Sequence, residues 1–243
     1  MKLVNKRIVI TGGTSGIGYQ LVKSLHSANE VVVIARNPHK LNKLAHDFEG
    51  VITYQTDLSK LEEVELVTDA IIKRFDTIDL LINNAAIQSV ASFLDDDFIY
   101  RNICTEITLN FTSVCCMTYR LLPALLHQNR STIFNINSGL ALAPKTSSAV
   151  YCGTKSALNL FSQSLRYQLE KTNIRVQQVF LPLVDTQMTK GRGKNKMTSS
   201  NAARIIIKGI ERGVSEHYIG KANLLRILLR LTPWLAKKIL KKY

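Results

Sequence analysis

Short β-branched runs, each followed by a stretch of helical spacing, set the rhythm of this chain and leave few folds open to it. Ile8-Val9-Ile10 runs into a glycine-rich turn and then a helical pattern from Ile17 to about Leu25. Val31-Val32-Val33-Ile34 is the next run, short and wholly apolar, as a parallel strand buried on both faces requires. Pro38 stands where a helix can start, and Leu41, Leu44, Ala45 and Phe48 keep helical spacing after it. The pattern continues with a strand at 51–54, a helix at 60–75, a strand at 78–82 and a long helix at about 104–128. A strand at 132–136, a helix at about 150–171 and a sixth strand at 175–180 complete it. Strands alternating with helices predict right-handed βαβ units. The expected fold is α/β, a single-domain Rossmann-type doubly wound parallel sheet flanked by helices on both faces, spanning residues 1–243.

Two segments break this rhythm. Residues 185–199 are polar, basic and contain glycine, which predicts a mobile substrate loop. Residues 221–243 carry seven Lys or Arg and no acid among many leucines, a basic amphipathic segment.

Thr11-Gly12-Gly13-Thr14-Ser15-Gly16-Ile17-Gly18 lies directly between the first strand and the first helix. Glycines there let the backbone turn tightly and approach a pyrophosphate, and the helix N-terminus offers free N–H groups to the phosphates. Its TGxxxGxG spacing resembles that of the short-chain dehydrogenase/reductase family, and the likeness recurs from residue 3 to about 190. Asn83-Asn84-Ala85-Ala86 is similar to the family's Asn-Asn-Ala-Gly, with Ala86 in place of glycine. Ser138, Tyr151, Lys155 and Asn110 match its catalytic tetrad, and Asp57-Leu58 matches its adenine-contacting pair. The N-terminal third and Ala86-Ile87-Gln88 resemble the DltE-like subgroup of bacterial oxidoreductases.

The resemblance implies an oxidoreductase that moves a hydride between a nicotinamide and a carbonyl or secondary alcohol. It implies cofactor contacts at Gly12, Thr14, Ser15, Gly16, Ile17, Gly18, Asp57, Leu58, Asn84, Ala85, Tyr151, Lys155 and Thr186, and assembly as a homodimer or homotetramer. The tetrad is chemically coherent in its own right. Tyr151 and Lys155 stand at i and i+4, on one helical face. An ammonium beside a phenol favours the phenolate, so Lys155 is expected to lower the Tyr151 pKa and suit it to acid–base work. Ser138 would position the substrate oxygen, and Asn110 would anchor a water linking Lys155 to solvent.

The dinucleotide's identity turns on the end of the second strand. An acid there binds ribose hydroxyls, whereas an arginine accommodates a 2′-phosphate. The chain reads Ile34-Ala35-Arg36-Asn37, and Glu30 falls before the expected strand. Arg36, with His39 nearby, therefore favours NADP(H), with NAD(H) the alternative; the family's second basic residue, inside the glycine loop, is replaced by Ser15. A further departure is Pro182-Leu183 where the family has Pro-Gly, which adds bulk beside the nicotinamide face.

With 243 residues, 46% apolar and 21% charged, the chain has the balance of a globular protein with a sizeable core. The net charge of +14 attracts polyanions of any kind, but no nucleic-acid reading motif accompanies it. Cys104, Cys115, Cys116 and Cys152 lack metal-ligand spacing and read as reduced thiols, so no metal is expected. The N-terminus has no apolar signal core and no stretch is long and apolar enough to span a bilayer, which predicts a cytoplasmic protein.

Leu224, Leu228, Leu231 and Leu235 fall on one helical stripe, with Arg226, Arg230, Lys237 and Lys241 on another face if the helix passes Pro233. Either the stripe packs on the body or a partner subunit, the favoured reading, or the helix lies peripherally on a membrane. Two functional rivals stay open beside the oxidoreductase: a non-catalytic nucleotide-binding regulator, and a hydrolase using Ser138 or Tyr151 as nucleophile.

Overall fold

A computed structural model of the chain describes residues 1–127 and 129–241. Its elements in order are β1 (Arg7–Thr11), α1 (Gly16–Leu25), β2 (Glu30–Ala35), α2 (Pro38–Asp47), β3 (Ile52–Gln55), α3 (Leu61–Arg74) and β4 (Leu80–Asn83). There follow α4 (Arg101–Ile107), α5 (Ser113–Leu125), β5 (Ser131–Ser138), α6 (Ala149–Gln168) and β6 (Ile174–Leu181). The C-terminal part holds β7 (Val184–Asp185), β8 (Met197–Thr198), α7 (Ser199–Arg212), β9 (Glu216–Tyr218), α8 (Lys221–Leu231) and α9 (Pro233–Lys241).

Seven strands form one parallel sheet in the order β3-β2-β1-β4-β5-β6-β9. The strand period of two divides each apolar run between two cores. Ile8 and Ile10 face a core completed by α1, α2 and α7, whereas Val9 faces one completed by α3, α5 and α6. Val31 and Val33 split from Val32 and Ile34 in the same way. A strand covered on both sides has no solvent face to leave polar, which is why these runs are continuously apolar.

Several boundaries differ from the sequence expectation. The helix expected at 104–128 begins at Arg101 and ends at Leu125, and a π-helical turn at Thr108–Thr112 joins α4 to α5. Gln128, the last residue of that expected helix, lies outside the described residues. The helix expected to reach 171 stops at Gln168. Glu30 is the first residue of β2 rather than a residue before it, paired with Arg7 at 2.8 Å and far from the strand's carboxyl end.

The seventh strand, Glu216–Tyr218, was not foreseen; three residues with two polar side chains give no apolar run to read. The segment expected as a mobile loop carries structure: β7 pairs with β8, and Gln187–Thr189 forms a 3-10 turn. The tail helix does not pass Pro233. It ends at Leu231 and restarts as α9, because proline has no N–H to bond the preceding turn. Lys242 and Tyr243, the end of the expected basic segment, lie outside the described residues.

Candidate active site

The glycine turn sits between β1 and α1, at the carboxyl end of the sheet. Gly12 adopts φ +69°, and its N–H donates to Ile34 O at 2.8 Å. Gly18 packs so closely on this turn that a Cβ would lie 2.3 Å from Gly12 O and 2.6 Å from Asn84 Nδ2. Only hydrogen fits there. Ser15 caps α1 with extended backbone and no side-chain bond to the first-turn amides, which leaves those N–H groups open. Ile17 packs its side chain on the first core, so it offers the groove backbone alone. Thr14 is half-buried in the same turn.

Asn84 ties the far wall to this turn. Its Nδ2 donates to Thr11 O at 2.9 Å and Gly12 O at 3.1 Å. Thr11 Oγ1 in turn accepts the backbone N–H of Asn84 at 2.9 Å and of Ala85 at 3.0 Å. Thr11 was not singled out from sequence, because a buried threonine at a strand end carries no motif. Thr186 closes the other side: a Cβ on Gly16 would lie 3.0 Å from its Cγ2. Arg36 leaves the end of β2 with its side chain 73% exposed, 4.0 Å from Asp57 Oδ2. Burial raises the Asp57 carboxyl, but hydrogen bonds from Ser59 and the charges of Arg36 and Lys60 outweigh it and hold it below its ordinary value. Leu58 is buried in the second core, so its side chain is not available to a ligand. His39 is exposed near the start of α2.

The tetrad candidates converge on the same end of the sheet. Ser138 ends β5, and its Oγ accepts the Leu140 N–H at 3.1 Å. Tyr151 and Lys155 lie on α6, both buried. The helix starts from Ser148, a buried residue in the left-handed region at φ +64°, and this strained turn sets where Tyr151 emerges. Lys155 Nζ donates to Ile136 O at 2.9 Å and stands 5.8 Å from the Tyr151 ring centroid. Burial pushes Lys155 down to about 8.

Tyr151 departs from expectation. Burial pushes it up to about 12, against the pull of a side-chain interaction with Ser138. The ammonium that was expected to lower it is held by a β5 carbonyl over the ring, so desolvation dominates.

Asn110 Oδ1 accepts the Ile87 N–H at 2.9 Å, and its Nδ2 donates to Ile87 O at 2.9 Å and Thr154 Oγ1 at 3.2 Å. The side chain pins the segment after β4 to α6 and makes no direct bond to Lys155.

Two groups escaped the sequence reading. Glu106 stands one helical turn before Asn110 and is buried; Oε1 accepts the Ser89 N–H at 3.3 Å, while Oε2 has no partner among the described residues. Burial pushes its carboxyl up to about 7, and its charge reaches Tyr151. The i−4 spacing from Asn110 was the signal available. Arg192, in the loop after β7, donates to Gln88 Oε1 at 2.7 Å and to Met188 O. It straps that loop to the segment following β4. Gly193 beside it makes room for Leu183, whose Cδ2 would lie 2.3 Å from a Cβ there. The bulk expected at Leu183 is thus taken up by the loop.

The short chain dehydrogenase family model matches residues 6–197. The chain is 32% identical over 226 residues to the uncharacterized oxidoreductase DltE of Bacillus subtilis, covering 89% of this chain and 88% of that protein. It is 32% identical over 199 residues to an NADP-dependent 3-hydroxy acid dehydrogenase of Schizosaccharomyces pombe, covering 77% and 75%. The fold resembles that of a short chain dehydrogenase from Burkholderia cenocepacia J2315 solved in complex with NADP, with TM-score 0.88, 23% identity and 99% of each chain covered.

Proposed function

Since the chain belongs to the short chain dehydrogenase family, an enzyme family acting on CH–OH and C=O groups, we propose that it is an NADP(H)-dependent reductase of a small carbonyl compound. The observation that carries this reading is the meeting of a glycine cradle with open amides and a buried Tyr151–Lys155 pair at one end of the sheet. The cradle suits a dinucleotide: Gly12 turns the backbone at positive φ, and the uncapped N-terminus of α1 faces it. Gly12, Thr14, Ser15, Gly16, Ile17 and Gly18 would hold the pyrophosphate, chiefly through backbone. Asp57 would face the adenine, Asn84 and Ala85 the adjoining ribose, and Thr186 the carboxamide. Arg36 would pair with a 2′-phosphate. When bound, the dinucleotide supplies the hydride.

The proton chemistry follows from the two shifted groups. A phenol with a pKa near 12 keeps its proton at neutral pH, so Tyr151 is set to donate to an oxygen that gains charge as its carbon is reduced. Lys155 is still cationic just below pH 8 and stabilises the phenolate left behind. Ser138 would steady the same oxygen, and Asn110 acts by holding the Ile87 segment against α6. The hydrolase reading fares worse: among the described residues no histidine is hydrogen-bonded to Ser138.

The cofactor assignment is tested by binding titrations of NADPH and NADH to the wild type and to Arg36→Ala. A charge-assisted Arg–phosphate contact contributes about 1.5–3 kcal/mol. The substitution should weaken NADPH by about 10- to 100-fold and leave NADH nearly unchanged. Equal wild-type affinities would assign NAD(H) instead.

A further inference from the structure

We propose that α8 and α9 form a face that docks peripherally on an anionic lipid bilayer. The two helices are held on the body by Ala222, Ala236 and half-buried side chains that include Leu228 and Leu235 of the leucine stripe, while Leu224 and Leu231 stay outside. Ala222 and Ala236 are buried, and Ala222 and Leu225 lie 3.6 and 3.7 Å from where a Cβ on Gly139 would stand. Thr146 Oγ1 donates to Lys241 O at 2.5 Å and fixes the far end.

This anchoring leaves an apolar row outside. Leu224 is 57% exposed, Ile227 47%, Leu231 72% and Trp234 67%. Leu224, Ile227 and Leu231 follow one another at three and four residues along one side of α8, and Trp234 stands in the first turn of α9, after the break at Thr232. Lys237, Lys238 and Lys241 surround Trp234 at helical spacing, Lys221 and Arg230 flank the leucines, and Arg226 stacks on Tyr218 at 4.5 Å. No acid occurs from residue 217 to the end of the chain.

The charge pattern selects the occupant. A second copy meeting this face about a two-fold axis would set the same cations against each other. Nucleic acid would match the cations and leave four large apolar side chains in water. An anionic headgroup layer satisfies both features, with leucines and Trp234 entering the acyl boundary and the lysines at the phosphates. No described helix is long and apolar enough to cross a bilayer, so the contact is peripheral. Because α8 packs on Gly139–Ala141, the turn after Ser138, the lipid surface would adjoin the substrate end of the sheet.

Trp234 is the chain's one tryptophan, so its emission reports on this face alone. The full chain is mixed with vesicles of phosphatidylcholine, or of phosphatidylcholine with phosphatidylglycerol, and read by tryptophan emission and flotation at low and high salt. A blue shift and flotation are expected with the anionic vesicles, weaker by about tenfold or more on neutral ones and reduced by salt. The double variant Leu224→Ser/Leu231→Ser, with exposed positions and charges intact, should keep its melting temperature and lose flotation. Absence of wild-type flotation on anionic vesicles at low salt overturns the proposal. So does unchanged flotation of the double variant, which would mean charge alone, and so does a fall in oligomeric mass in that variant without any lipid effect, which would assign the face to a second copy.

Discussion

The side chain whose burial makes the sharpest demand at this site is Glu106. Its Oε2 lacks a partner among the described residues, and burial raises its pKa to about 7, so the fold favours the protonated form. A carboxyl raised in the folded state contributes stability below its ordinary value near 4.5, and loses that contribution as pH climbs toward 7. Glu106→Gln keeps an acceptor for Ser89 and cannot ionise. It should therefore melt close to wild type at pH 5 and above wild type at pH 8, and thermal melts at both pH values check this. A variant less stable at pH 8 would mean that the carboxylate has a cationic or hydrogen-bonding partner. The shared helical face of Tyr151 and Lys155 was legible from their spacing, whereas Ser138 and Asn110 were singled out by the family resemblance. What Lys155 and Asn110 touch was not legible in the sequence. Ile136 O and Ile87 come from strand β5 and from the segment after β4, and their approach is set by packing rather than by any local pattern.

At the level of elements, strands buried on both faces announce themselves, and β1, β2, β4, β5 and β6 stand close to where their apolar runs fall. The weak elements are those whose stability comes from neighbours. β9 is held by β6, and the short β7–β8 pair depends on the loop folding over the groove. Arg192 is the clasp of that loop. Arg192→Ala should loosen the loop and raise KM for the carbonyl substrate, with little change in melting temperature since the residue is outside both cores. Steady-state kinetics with the dinucleotide saturating and carbonyl varied separates this from a cofactor effect. An unchanged KM would remove the loop from substrate binding.

Across the whole molecule, the cationic pair of helices reaches the body through α8, which packs on the Gly139 turn at the end of β5. Truncation after residue 220 removes the cover from that turn, including buried Ala222 and Ala236, and should lower the melting temperature by several degrees. An unchanged melting temperature would mean that α8 and α9 add nothing to the body. We propose that this chain reduces a carbonyl through Tyr151. The most direct test is NADPH oxidation by purified wild type and Tyr151→Phe over a panel of ketones, aldehydes and 3-oxo acids, with NADPH affinity measured in parallel. The account predicts turnover by the wild type on at least one substrate, a loss of at least about 100-fold in Tyr151→Phe, and nearly equal NADPH binding by the two. Turnover in Tyr151→Phe comparable to wild type would contradict it.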